Sequence, residues 1–352
     1  MKAAIITVYN SENCGSYWQA RALMEFLKSN GFEVSFIKRG SKFSSHGLYG
    51  LIRKIGSNIK SGTVRDLPLR IKGVIEQYRV YEKCTSDFIV EDKADEQFDI
   101  CILGSDTIWN LQNRHFVAYR ELYWGHTSHA KKTVSYAASI ANTSPEDINR
   151  YPEVISYLNA LQSIGVRDEY SYNTLLSFAN KDMHIVCDPT LLFEKEFYIN
   201  CIGGVKPRKS NFVFVYYFGA VPKVLQDEIR EFSIANNYQI VVMGNSMIGD
   251  ANIYSSSPSE FINCFSTCSF VVTNTFHGTI FSLLFEKQAV FNSDGKKKVR
   301  DLLCRFDVIN QDYHENANKR IFAKDNIDYS KVTPEIHKFR DSSISYLTEA
   351  IQ

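Results

Sequence analysis

The sequence predicts two α/β domains, each built on a parallel sheet, facing each other across a cleft. Three observations carry that prediction. The chain has 352 residues, more than one hydrophobic core usually supports. Short apolar runs alternate with amphipathic helical patterns along most of its length, as repeated strand–helix units on a parallel sheet require. A polar stretch at 194–210, carrying Gly203-Gly204 and Pro207, interrupts the alternation and separates a domain at 1–195 from one at 208–352.

The elements follow in order. Residues 3–8 read as a buried strand that runs into a loop with Asn13 and Gly15. Trp18, Ala22, Leu23, Phe26 and Leu27 then fall on one helical stripe, closed by Gly31, a residue suited to the left-handed end of a helix. A strand at 34–37 completes a βαβ unit, so the loop with Asn13 and Gly15 lies at the carboxyl edge of the sheet, where such sheets bind ligands. A basic stretch at 38–60 and a helical pattern at 71–84 come next. Strands are expected at 99–103, 133–138, 163–166 and 184–187, with helices at 148–161 and 171–179. In the second domain strands at 211–218, 239–243, 270–273 and 289–291 alternate with helices at 222–236, 259–268 and 279–285. A last amphipathic segment, 334–351, is expected to pack back on the first domain.

Composition narrows the function classes. Apolar residues form 44% of the chain and charged ones 22%, the balance of a globular protein and not of a disordered one. Forty basic residues against thirty-nine acidic ones leave a charge of +1, so no global field favours nucleic acid or an anionic membrane, and any anion site is local. Eight cysteines are scattered; only Cys264 and Cys268 stand close, and an i, i+4 pair without a second pair or a nearby histidine is a poor zinc site. No metal is expected, and buried free thiols in a reducing compartment account for the set. The start of the chain shows no signal-peptide cleavage pattern, and no run approaches the roughly 18 apolar residues of a membrane span. The expectation is a soluble, cytoplasmic protein. No GxGxxG, GxxxxGK[ST], GxSxG, HExxH or paired CxxC occurs, which counts against dinucleotide, P-loop, serine-hydrolase and zinc-protease chemistry.

The most informative residue is His277, within Thr273-Asn274-Thr275-Phe276-His277-Gly278 at a strand-to-helix junction. A helix beginning near Gly278 directs backbone N–H groups and its positive end at an anion, and the glycine lets that anion come close. Histidine can also donate one proton and accept another near neutral pH. An isolated histidine is as readily a capping or packing residue, so both readings stand. Arg167, ending the strand at 163–166, suits a bidentate grip on phosphate or carboxylate, or a structural pair with Asp168 or Asp188. Beyond the last strand lie Arg300, Arg305 and the lysines at 296–298. Any of these can supply a cation; Arg300 opens an amphipathic segment and is the better placed, while the lysine run reads more readily as a solvated face. Asp106 is a base or sugar-hydroxyl ligand, or a helix cap leading into residues 107–111. Trp109 offers a flat apolar face for a sugar ring, and Asn13 and Gly15 either begin the first helix or touch ligand.

Six segments, in order, resemble the polysaccharide pyruvyl transferase family. They are Asn13-Cys14-Gly15 with Gln19-Ala20-Arg21-Ala22-Leu23; Gly104-Ser105-Asp106-Thr107-Ile108-Trp109-Asn110; Ser135-Tyr136-Ala137-Ala138-Ser139; Val166-Arg167-Asp168-Glu169-Tyr170-Ser171; Asp188-Pro189-Thr190-Leu191-Leu192; and Thr275-Phe276-His277-Gly278-Thr279. The resemblance implies two Rossmann-like domains arranged as in the GT-B glycosyltransferases, acceptor on the first and donor on the second. It implies transfer of a pyruvyl group from phosphoenolpyruvate to two hydroxyls of a sugar as a cyclic ketal, in exopolysaccharide or capsule biosynthesis. The acceptor is a polysaccharide or lipid-linked oligosaccharide, no metal or other cofactor is needed, and a lipid-linked acceptor places the enzyme at the inner membrane face. Carried onto this chain, His277 is the acid–base. Arg167, Asn274, Thr275, Gly278 and Arg300 hold the donor, and Asn13, Gly15, Ser105, Asp106 and Trp109 hold the acceptor. One position departs from the pattern: many members carry arginine two residues before the histidine, where this chain has Thr275. The rival readings are a GT-B glycosyltransferase using a nucleotide sugar and a sugar-binding protein whose ancestral site has lost activity.

Overall fold

A computed structural model describes residues 1–11, 13–37, 75, 79–80, 84–91, 97–126, 129–243, 251–253, 257–314, 322 and 326–352. The basic stretch at 38–60, and most of the helical pattern at 71–84, lie outside these residues. Two compact units emerge. One holds the N-terminal strands, Thr85–Phe193 and Pro334–Gln352; the other holds Glu194–Thr333.

The first unit is organised by a seven-stranded sheet in the order β3-β2-β1-β4-β5-β6-β7. Its strands are β1 (Lys2–Ile6), β2 (Glu33–Ile37), β3 (Val90–Glu91), β4 (Phe98–Leu103), β5 (Ala130–Ala138), β6 (Ser163–Val166) and β7 (Met183–Ile185). Every pairing is parallel. Ala4 of β1 faces Ser35 on one side and Cys101 on the other. Parallel strands are covered on both faces, which is why they read as unbroken apolar runs. Helix α1 (Cys14–Ser29) follows β1, with Asn13 as its cap and Gly31 at φ +83 just past its end. The helix expected at 148–161 is two, α2 (Pro145–Asn149) and α3 (Glu153–Ala160). Ser144 and Asp147 form a capping box with Pro145 at the first position, launching a helix earlier than the apolar stripe suggests. Pro152 then starts the second, because its ring and missing N–H suit a helix beginning and not an interior. Helix α4 (Glu169–Leu175) leads to β7.

The second unit carries a five-stranded parallel sheet in the order β10-β9-β8-β11-β12. These are β8 (Phe212–Tyr216), β9 (Gln239–Met243), β10 (Ala251–Ile253), β11 (Phe270–Thr273) and β12 (Gln288–Phe291). All five residues of β8 are buried, each large apolar side chain contributing roughly 1.5–3 kcal/mol. Around the sheet stand α5 (Lys195–Cys201), α6 (Lys223–Ala235), α7 (Pro258–Thr267), α8 (Phe276–Leu284) and α9 (Lys297–Arg305). Helix α8 is buried along its whole length, and its Phe281 meets Phe261 of α7 edge-on at 5.1 Å. Cys264 and Cys268 are buried free thiols, and burial pushes Cys268 up to about 12.

Helix α10 (Tyr329–Ile351) closes the chain, and from Pro334 onward it belongs to the first unit. Its Tyr346 hydroxyl donates to the Ser135 carbonyl (2.9 Å), and its Ser343 hydroxyl accepts from the Cys187 amide (2.8 Å). Gly165 of β6 makes this fit possible, since a Cβ there would lie 2.7 Å from the Tyr346 ring. Among the described residues no helix is long and apolar enough to cross a membrane.

Candidate active site

In a parallel sheet the chain leaves two neighbouring strands in opposite directions at one place, and a crevice opens there beyond the carboxyl ends. That place is between β1 and β4 in the first unit and between β8 and β11 in the second.

In the first unit the chain's own groups bridge the crevice. Thr7, past β1, donates through Oγ1 to the Ser105 carbonyl past β4 (2.7 Å), and Ser16 of α1 donates to Asp106 Oδ2 (2.9 Å). Asp106 sits at φ +77, a left-handed conformation that aspartate tolerates better than most residues. Its other oxygen accepts from the Thr107 amide (2.7 Å). The expected helix at 107–111 is therefore a turn, and Asp106 makes the bend. Asn13 Oδ1 accepts from the Gly15 amide (2.9 Å), which sets both in the cap of α1.

Deeper in the same edge, Asp188 Oδ2 accepts from Ser105 Oγ (2.8 Å) and pairs with Arg167 Nη1 (3.1 Å). The two charged side chains are 1% and 0% exposed. Thr190 donates to the other Asp188 oxygen from its hydroxyl (2.8 Å) and its amide (3.1 Å). Asp168 caps α4, accepting from the Ser171 amide (2.8 Å) and hydroxyl (2.6 Å), and also from Ser139 Oγ (2.7 Å). The register of β5 against β6 shifts between Ser135 and Ala138, with Ala137 at φ +57; such a bulge re-aims the residues after it. Four of the recurrent sequence segments are thus tied to one another by buried side chains. Of the two readings of Arg167, an anion grip or a structural pair, the pair with Asp188 is what the structure displays. The sugar face expected of Trp109 is absent: its ring is fully buried, stacks on Trp124 at 4.7 Å and donates from Nε1 to the Tyr123 carbonyl (2.8 Å).

The second unit differs. Helix α8 begins at Phe276, so His277 lies in its first turn and not before it. Thr275 is the cap, its Oγ1 accepting from the Gly278 amide (2.9 Å) and lying 3.0 Å from Thr273 Oγ1. A Cβ on Gly278 would stand 2.2 and 2.4 Å from those two hydroxyls. The glycine makes room for its own chain's threonines, and its amide serves the cap. Asn274 Oδ1 accepts from the Phe218 amide (2.9 Å) and Asn274 Nδ2 donates to the Phe218 carbonyl (2.8 Å), fastening the loop after β8 to the end of β11. Past β12, Asn292 donates to the Tyr217 hydroxyl (2.6 Å), and Lys296 Nζ donates to the Asn274 carbonyl (2.9 Å). Burial pulls the Lys296 ammonium below the usual lysine range. Arg300 lies on the exposed side of α9.

Lys296, ranked behind Arg300 in the sequence, is the cation bonded at this edge. Its signal was position: it follows β12 at the carboxyl edge, and Gly295 at φ +71 turns the chain there. Phe218 was passed over as the end of an apolar strand. What the second edge assembles is an imidazole within the positive end of a helix and a half-buried ammonium bonded to the strand leading into that helix. Such a set can hold an anion and move a proton.

Solved structures of similar fold include the UDP-GlcNAc 2-epimerase of Neisseria meningitidis bound to UDP-GlcNAc, at 9% identity over 100% of this chain and 99% of that one, with a TM-score of 0.53. The UDP-GlcNAc 2-epimerase of Methanocaldococcus jannaschii in complex with UDP-GlcNAc and UDP matches at 11% identity over 99% of this chain and 100% of that one, with a TM-score of 0.51. At these identities the likeness is one of fold, two parallel-sheet α/β domains of the GT-B-like class. No curated protein matches the chain. A family model described as polysaccharide pyruvyl transferase matches residues 13–291, from Asn13, the cap of α1, to Phe291, the last residue of β12. With most of its length inside that match, the chain belongs to the polysaccharide pyruvyl transferase family.

Proposed function

We propose that this transferase moves a pyruvyl group from phosphoenolpyruvate to two hydroxyls of one sugar of a polysaccharide or lipid-linked precursor, leaving a cyclic ketal and inorganic phosphate. The observation that carries the proposal is the placement of His277 in the first turn of α8 and of Lys296 on the carbonyl of Asn274, at the strand end that leads into that helix. Phosphoenolpyruvate brings a phosphate and a carboxylate. Lys296 and the positive end of α8 meet that charge where many family members carry an arginine and this chain has Thr275.

His277 gives a proton to the enol methylene, which becomes a methyl group, and the adjacent carbon becomes electrophilic. One sugar hydroxyl adds to that carbon and its proton returns to the imidazole. Phosphate leaves with its bonding electrons, and the second hydroxyl adds to the same carbon, losing its proton to phosphate or water. No redox change and no further cofactor enters this balance. The acceptor is reached from the cytoplasm, at the membrane face when it is lipid-linked.

The test is to incubate the purified protein with phosphoenolpyruvate and a panel of lipid-linked oligosaccharides, following phosphate release together with a pyruvyl-ketal mass gain on the sugar. Both are expected with no nucleotide present. Transfer that requires a nucleotide sugar, or no gain with any acceptor, overturns the reading.

A further inference from the structure

Phe218 is an anomaly among the aromatic residues of the second unit. Tyr216 and Tyr217, immediately before it, are buried, yet Phe218 is 50% exposed. It is not a loose loop residue. Both its amide and its carbonyl are held by the side chain of Asn274 at 2.9 and 2.8 Å, and its ring meets Tyr216 edge-on at 5.4 Å. Asn274 stands three residues before His277, and its carbonyl holds Lys296. One asparagine therefore fixes an exposed phenyl ring, the ammonium and the strand end that leads into the histidine helix.

We infer that Phe218 is the platform on which the acceptor sugar stacks, an inference that rests on the pyruvyl transfer reading. The chemistry of the ring chooses between the two substrates. The face of a phenyl ring is negative and its edge positive, so phosphate and carboxylate are repelled by the face while the polarised C–H groups of a pyranose are attracted to it. A ketal needs two hydroxyls of one sugar directed at one carbon. A sugar lying with its C–H face on Phe218 has its ring plane fixed while its hydroxyls remain free. Phenylalanine brings no hydrogen bond of its own that would compete for them. Trp109, the aromatic of the first unit that sequence favoured for this task, is enclosed in its core.

The experiment compares wild type with Phe218→Ala, Phe218→Tyr and Phe218→Trp in steady-state pyruvyl transfer, alongside saturation-transfer NMR on the methyl glycosides of galactose, mannose and glucose. Phe218→Ala is expected to raise the acceptor KM roughly tenfold, the size of a lost aromatic contact, with the phosphoenolpyruvate KM and the melting temperature unchanged. The tyrosine and tryptophan variants restore it. In wild type the ring C–H protons of one glycoside are saturated, and in Phe218→Ala they are not. An unchanged acceptor KM, an equal rise in both KM values, or glycoside saturation that survives Phe218→Ala overturns the inference. So does a UDP-sugar whose base, and not its sugar, loses saturation in the variant. Wild type inactive with phosphoenolpyruvate defeats the pyruvyl transfer reading, while the glycoside NMR still decides the role of Phe218.

Discussion

The two sheets use their carboxyl edges in opposite ways. In the first unit the polar residues of the edge face one another: Ser105 and Arg167 meet on Asp188, Ser139 and Ser171 on Asp168, and Ser16 on Asp106. In the second unit the bonds of the edge run mostly from side chain to backbone, Asn274 to Phe218 and Lys296 to Asn274. They fix the strand end and leave an aromatic face half exposed. A polar motif that recurs at a sheet edge is thus not by itself a ligand site. In one unit it ties scaffold segments together, and in the other it fixes the strand end that leads into the His277 helix.

Substitutions that separate architecture from chemistry test this contrast. The largest expected effect is on turnover: His277→Ala should lower kcat by roughly 10²–10⁴, the usual contribution of a positioned acid–base, with the fold intact by circular dichroism. Near-normal turnover would remove His277 from the reaction. The largest effect on stability lies in the other unit. Asp188→Ala leaves the Arg167 guanidinium buried without this carboxylate and should cost about 3–5 kcal/mol, whereas the paired change Arg167→Met with Asp188→Leu removes the buried charge, though it still strands the Ser105 and Thr190 donors, and should cost less. The chain's three tryptophans, Trp18, Trp109 and Trp124, all lie in the first unit and are all buried, so their fluorescence in urea reads that unit selectively. Equal losses for the single and double changes would show that the pair is not what holds the edge.

The strands were legible because parallel strands are apolar on both faces: those at 163–166, 239–243 and 270–273 stand where the apolar runs put them. Helix starts were harder. The stripe at 148–161 continues across Pro152, and only the capping box at Ser144 shows that two helices share it. The start of α8 was obscured because Thr275 invited reading as a ligand residue when its hydroxyl is a cap. At the site, residue type was visible and partnership only in part. The pair of Arg167 with Asp188, 21 residues away, was one of the two readings of that arginine, whereas the stacking of Trp109 on Trp124 does not follow from spacing. Lys296 was hidden by its neighbours, since a run of three lysines looks solvated and only the fold singles out the one that turns inward.

Lys296 gives a prediction of intermediate size that is specific to the second edge. Removing a charged hydrogen bond to an anion costs about 1.5–3 kcal/mol, so Lys296→Ala should raise the phosphoenolpyruvate KM roughly ten- to hundredfold while sparing the acceptor KM. The pH profile supplies the sign. On the pyruvyl transfer reading the ammonium binds the donor only while protonated, and burial lowers its pKa, so donor affinity should be full at neutral pH and fall on the alkaline side before an ordinary lysine titrates. In Lys296→Arg that limb should vanish, because guanidinium keeps its charge. A limb that persists in the alanine variant belongs to another group.

The smallest effect separates the two edges most directly, because each has one helix cap at the crevice. Asn13 caps α1 and Thr275 caps α8. Replacing either with alanine should cost about 1 kcal/mol of stability, read by tryptophan fluorescence for Asn13 and by amide exchange in α8 for Thr275. On stability alone the two are equivalent. On turnover they should part: Asn13→Ala leaves kcat and both KM values near wild type, since its side-chain oxygen is engaged by the Gly15 amide at the start of α1. Thr275→Ala frees the Gly278 amide and loosens the turn that carries His277, so kcat should fall several-fold beyond any loss of folded protein. Equal kinetic effects from the two caps would mean that the first edge also touches substrate, and the division of labour between the sheets would have to be redrawn.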